Sequence, residues 1–99
     1  MLKKRYFKTK KQCEVTFEFE SDEAGRVELL CEENDWTPIE MKKSRKGPFR
    51  TKKRFPLEGN FEFLYRVDEN SWVTDDTADD FRPNGLGGRN SVLKTTPAI

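Results

Sequence analysis

The chain has 99 residues, 33% apolar and 12% aromatic, with eight phenylalanines and no histidine. That suffices for one domain with a modest core built from rings, and is too small for a catalytic domain with lids and a deep cleft. Lys and Arg number 19 against 18 Asp and Glu, a balance that argues against an obligate nucleic-acid binder, and without histidine the commonest general base and metal ligand is missing.

Residues 1–11, MLKKRYFKTKK, hold six basic side chains and no acidic one and read as a basic N-terminal arm. QCEVTFEFE then alternates with period two: Cys13, Val15, Phe17 and Phe19 take one face, Glu14, Thr16, Glu18 and Glu20 the other. This is the pattern of a half-buried antiparallel strand. SDEAG turns the chain and RVELLC returns with Val27, Leu29 and Cys31 in phase, so the two runs are expected to form a hairpin. Cys13 and Cys31 could face each other across it. In a chain with no export signal, two thiols are more often buried and reduced.

In ENDWTPIEM, Asn34 and Asp35 favour a bend and Pro38 has no N–H to give a ladder, yet Trp36 stands between them. GPFRTKKRFPL alternates next, but Lys53 falls on the apolar phase. Inward charge beside a proline predicts a bulge or a sheet border. Residues 42–54 carry eight basic groups and no acid, whereas 58–80 carry eight acids and one Arg, so the surface is expected to separate its signs.

GNFEFLYRV gives the clearest alternation, with Phe61, Phe63, Tyr65 and Val67 inward and Glu62, Leu64 and Arg66 outward; it is expected to be central. Asp68-Glu69-Asn70 turns it into Trp72 and Val73. Residues 74–89 hold too much Asp, Gly and Pro for an element, NSVLKTT reads as a short closing strand, and 95–99 as a tail. No stretch of ten residues shows helical periodicity, so the expected class is all-β, an antiparallel β-sandwich of six to seven short strands. No apolar run reaches the length of a signal h-region or membrane span, which predicts a cytoplasmic location with no membrane partner.

DDTADD offers four aspartates, but a loop without the glycine placement of a calcium loop does not fix oxygens at one radius, and no metal is expected. The basic runs with Tyr6, Phe7 and Phe49 interleaved fit a phosphate-binding surface with stacking rings. A charged edge that resists aggregation is the preferred reading, because the acidic stretches would repel a nucleic acid. Carboxylate pairs abound without a cleft to bury one of them, so neither an enzyme nor a cofactor is expected and no residue is assigned as catalytic. The two tryptophans lie in or beside turns. Each either caps an end of the core or offers a flat ring to a sugar.

The order VELLCEENDWTPIEMKK, KGPF, EGNFEFLYRVDENSWVTDD, NGLGGRNSVL is similar to the isoamylase early-set domains of carbohydrate-binding module family 48. That family includes the glycogen-binding domain of the AMP-activated protein kinase beta subunit and the N-terminal domains of glycogen branching and debranching enzymes. The resemblance spans about residues 12–94 and looks closest to small stand-alone bacterial early-set proteins. It implies an immunoglobulin-like, early-set sandwich that binds α-1,4-glucan. Trp36 and Trp72 would stack on successive glucose rings, Leu86 would pack beside them and Asn90 would hydrogen-bond a hydroxyl. CEEN replaces the family's Gly-Asp-Phe-Asn, and Leu64 stands where binding members often carry lysine, with Arg66 on the same strand face as its substitute. A glycogen-metabolising enzyme is the further partner the resemblance implies. The rival expectation is an early-set module that docks a protein and has lost sugar binding.

Overall fold

The computed structural model describes residues 2–85 and 87–96; Met1, Leu86 and residues 97–99 lie outside them. The period-two runs become strands: β1 (Leu2–Phe7), β2 (Gln12–Phe19), β3 (Val27–Cys31), β4 (Ile39–Glu40), β5 (Lys42–Lys43), β6 (Phe49–Pro56), β7 (Asn60–Val67), β8 (Ser71–Val73), β9 (Asp80–Pro83) and β10 (Arg89–Lys94). They form two antiparallel sheets, one ordered β1-β2-β6-β5 and the other β4-β3-β7-β10-β9, with β8 paired to β7. The class is all-β, consistent with a sandwich. Ten strands among the described residues replace the six or seven expected, because two-residue and three-residue pairings leave too short a pattern to detect.

The inward faces meet as predicted. Val15 and Phe17 of β2, Phe55 of β6, Leu29 of β3, Phe63 and Tyr65 of β7 and Leu93 of β10 are buried in one cluster. Phe17 lies edge-on to Phe63 at 5.2 Å and to Phe55 at 6.2 Å, a geometry that adds about 1 kcal/mol per pair beyond burial. β7 lies centrally, between β3 and β10.

Three expectations need correction. β2 and β3 do not form a hairpin: β2 pairs with β1 and β6, β3 with β4 and β7. Alternation fixes which face is buried, not which strand lies alongside. Residues 20–26 cross from one sheet to the other, and Asp68 Oδ1 accepts the Gly25 and Arg26 N–H groups at 2.9 Å, tying the crossing to the β7–β8 turn. The segment set apart as a basic arm is the edge strand β1, in register with β2 from Leu2↔Phe17 to Phe7↔Gln12. Residues 74–89 do contain a strand, β9, whose Pro83 is tolerated because β9 is at the sheet edge.

The border position of β6 is real but incomplete, since β5 covers only Phe49 and Arg50. Lys53 points inward and meets Glu33 at 2.8 Å. Cys13 and Cys31 are both buried and free. Burial pushes the Cys31 thiol up to about 11 and raises that of Cys13 as well.

Candidate site on the outer face of the larger sheet

The β7–β8 turn aims Trp72. Asp68 and Glu69 both adopt positive φ, 49° and 66°, which gives a tight turn the right-handed twist of its flanking strands. The register then sets Trp72 opposite Arg66, Arg66 opposite Glu28, and Glu28 opposite Glu40. These four side chains form a row across the outer face.

The row is held by charge. Glu28 is only 4% exposed, a costly place for a carboxylate unless it is paired. Arg66 supplies the pairing, with Nε donating to Glu28 Oε1 at 2.9 Å and the second nitrogen at 2.8 Å. Arg26 lies 3.7 Å from Glu28, 3.3 Å from Glu40 and 2.6 Å from Glu69. The guanidinium carbon of Arg66 sits 5.7 Å from the centroid of Trp72, within cation–π range. Trp72 remains 58% exposed.

Leu64 shares the face one residue pair along β7, opposite Leu30 of β3. On the other side of β7, the β10 register carries Asn90 to the same level, opposite Arg82. Asn90 Nδ2 donates to Glu62 Oε1 at 3.0 Å.

Trp36 reaches the surface by a different route. A single 3-10 turn, Glu32–Asn34, follows β3, after which Asp35 and Trp36 both take left-handed backbone, φ 58° and 62°. Trp36 N–H closes the turn on Cys31 O at 2.9 Å. Glu32 Oε1 accepts the Glu62 N–H at 3.0 Å, and Glu33 pairs with Lys53. The CEEN segment thus clamps the loop to both sheets. A left-handed tryptophan is costly, on the order of 1 kcal/mol or more, and conformations of this kind collect at functional sites. Trp36 is 37% exposed.

Of the six residues singled out from sequence, Arg66, Trp72, Leu64 and Asn90 share the outer face, and Arg66 touches Trp72. Trp36 stands beyond the opposite end of β3 from Glu28, so the two indoles attach at levels about 10 Å apart along the strand. Leu86 lies outside the described residues. Trp36 and Trp72 are the large hydrophobic side chains that remain exposed among the described residues. Sequence reasoning missed Glu28 and Arg26, which fix Arg66. The one available signal was Leu30, an apolar residue in the outward phase that hints at cover over this part of the face.

The aspartates of DDTADD do separate tasks. Asp75 is buried and accepts from Tyr65 Oη at 2.7 Å and from Thr77 N–H at 2.8 Å. Burial alone would raise its pKa, but hydrogen bonds, those of Thr77 and Tyr65 among them, bring it below the ordinary carboxylate value. Asp79 binds Lys4 and the Lys94 N–H, and Asp80 lies 3.9 Å from Lys94. Among the described residues, no three His, Cys, Asp or Glu side chains gather as a metal would need. No helix there is long and apolar enough to cross a membrane.

The class defined at this point is an all-β protein of two antiparallel sheets bearing exposed indoles on strand and turn. No family model matches the chain, and no curated protein matches it.

Proposed function

We propose that this protein is a non-catalytic α-glucan-binding module of immunoglobulin-like, early-set type, acting on glycogen or a starch-like polymer in the cytoplasm. The observation that carries the reading is Trp72, a ring more than half exposed yet braced from behind by an ion-paired arginine. A pyranose presents C–H groups that pack on such a ring. Leu64 and Asn90 lie on the same face, and Trp36 is offered on a strained turn. The resemblance to the early-set family would place these residues, with Leu86, on one glucan path.

The affinity follows from area. With Trp72 58% and Trp36 37% exposed, covering about 100 Å² of ring contributes about 2 kcal/mol at ~25 cal/mol per Å², set against several kcal/mol of lost freedom. The site is therefore weak: a dissociation constant no tighter than roughly 0.1–1 mM is expected for short oligosaccharides, with tighter apparent binding to polymer through multiple contacts. A glycogen-metabolising enzyme is the partner such a module would deliver to its substrate.

Titration of tryptophan fluorescence with maltoheptaose tests this. Saturable change in the wild type, lost in Trp72→Ala and reduced in Trp36→Ala, is expected. No response at tens of millimolar ligand would remove the reading. One observation favours the second reading, a protein-docking module without sugar binding: the Arg66 guanidinium and Asn90 amide are already engaged by Glu28 and Glu62. Under that reading the indoles respond to a protein and not to glucan.

A further inference from the structure

The smaller sheet collects the positive charge of the whole chain. Residues 2–19 and 42–56, which form β1, β2, β5, β6 and their turns, hold fourteen of the 19 basic residues and two of the 18 acidic ones. The rest of the chain has five basic and sixteen acidic groups. From sequence, the two basic runs are more than thirty residues apart; the topology sets β1 and β6 on either side of β2. Most of the acidic stretch is set apart by placement, because β7 and β8 belong to the other sheet; Asp79 meets Lys4 on the inward phase of β1, and Asp75 and Asp76 line the cleft beside Lys3, at one border of the basic face.

The pairing registers sort this charge by face. Val15 and Phe17 point inward, so Thr16, Glu14 and Glu18 point outward together with their partners. The outer face therefore carries Lys3 and Arg5 of β1, Arg50, Lys52 and Arg54 of β6 and Lys42 of β5, against Glu14 and Glu18. The two glutamates engage Lys3, Arg50 and Arg54. Arg5, Lys42 and Lys52 have no carboxylate at ion-pairing distance among the described residues. Protecting a sheet edge needs charge of either sign. A face with six basic groups against two acids costs self-repulsion and gains attraction for a polyanion.

The chemistry of the face narrows the partner. Few rings are free to stack on bases: Phe49 is buried, Tyr6 follows the inward phase and its hydroxyl donates to Thr96 O, and Phe7, half-buried on the outer face, already has the guanidiniums of Arg5 and Arg54 at 5.1 and 4.9 Å from its centroid. Single strands are bound largely by stacking, so a duplex backbone fits better. Protein interfaces are depleted in charge at their core and enriched in aromatics and arginine; this face shares the arginines but has charge at its centre and no fully exposed ring. A second copy offers no matching surface, since the opposite outer face balances Glu28, Glu40 and Glu62 with Arg66, Arg26 and Arg82 respectively. A membrane would need an apolar side chain to insert, and the exposed indoles belong to the other sheet's strand and turn.

From this placement we infer that the outer face of the β1-β2-β6-β5 sheet binds the phosphate backbone of duplex nucleic acid without reading sequence. The site is separate from the glucan face and does not depend on it. Fluorescence anisotropy with a labelled DNA duplex of about 20 base pairs, at salt between about 50 and 200 mM, measures it. The expected result is a dissociation constant of roughly 1–100 µM at the low-salt end and a steep linear fall of log affinity with log salt. Lys42→Glu/Lys52→Glu should bind at least ~10-fold more weakly, with a slope shallower by about two, while its thermal unfolding and maltoheptaose titration match wild type. Any of four results would overturn the inference: no binding at low salt, equal binding by the double variant, tighter binding to the single strand, or binding to phosphatidylserine vesicles but not to the duplex.

Discussion

Arg66 backs the ring of Trp72 and is itself pinned by the buried carboxylate of Glu28. A single salt bridge thereby links the stability of the larger sheet to the geometry of its exposed indole. Arg66→Ala leaves Glu28 buried with only the longer contact to Arg26. The loss is about 2 kcal/mol, below the usual figure for a broken buried pair because Arg26 remains and the site is partly wet. That lowers the melting temperature by roughly 10 °C and weakens maltoheptaose binding severalfold. Arg66→Lys recovers part of the stability and less of the binding, since one ammonium does not reproduce the planar fork. Calorimetry beside sugar titration separates the two effects.

Trp36 gives the opposite signature. Its left-handed backbone suits glycine better than any ring. Trp36→Gly is therefore expected to stay within about 1 kcal/mol of wild type, where deleting a core tryptophan costs roughly 3–5 kcal/mol. Glucan binding falls all the same. Denaturant unfolding showing a core-sized loss would reassign the ring to packing.

The β-pattern was legible because rings and β-branched residues alternate so cleanly in β2 and β7: Phe63 and Tyr65 are buried and Leu64 and Arg66 face out as the spacing predicts. Partner choice was not legible. Nothing local in QCEVTFEFE distinguishes a hairpin return from a crossing to the opposite sheet, and the bonds that decide it come from Asp68, more than forty residues away. The exposed tryptophans were recognisable as turn-borne rings, whereas the Glu28 brace depends on strand register. Likewise the two basic runs were visible separately, and only the insertion of β2 between them makes one face.

Acid and alkali should destabilise the fold through different groups. Hydrogen bonding from Arg50, with Lys3 assisting, holds the Glu18 carboxyl below its ordinary value, and Asp75 is also lowered. A depressed folded-state pKa gives stability that is present above the unfolded value near 4 and lost as pH falls through the folded one. Burial, then the hydrogen bond to Asp75, raises the Tyr65 hydroxyl above its ordinary 10.0. Its contribution is complete below that value and fades as pH climbs beyond it. Melting temperature followed across pH should show Glu18→Gln flattening the acid limb and Tyr65→Phe the alkaline one. Tyr65→Phe should also cost about 1–2 kcal/mol at neutral pH through the lost bond to Asp75.

Lys53 guards an edge. Beyond Arg50, one side of β6 has no strand partner among the described residues, and the inward lysine sits over Phe55 and pairs with Glu33. Lys53→Val removes the obstacle to strand addition. The variant should remain folded and associate at high concentration, detected by light scattering and sedimentation, while wild type stays dispersed.

Both indole N–H signals in a nitrogen-resolved NMR spectrum, followed during addition of maltoheptaose, test the sugar-face account most directly. Each is expected to shift along a saturable curve with a common dissociation constant of roughly 0.1–1 mM, while core amides such as those of Phe17 and Phe63 stay in place. Two indole signals that do not move at ~20 mM ligand, more than an order of magnitude above that constant, would contradict it.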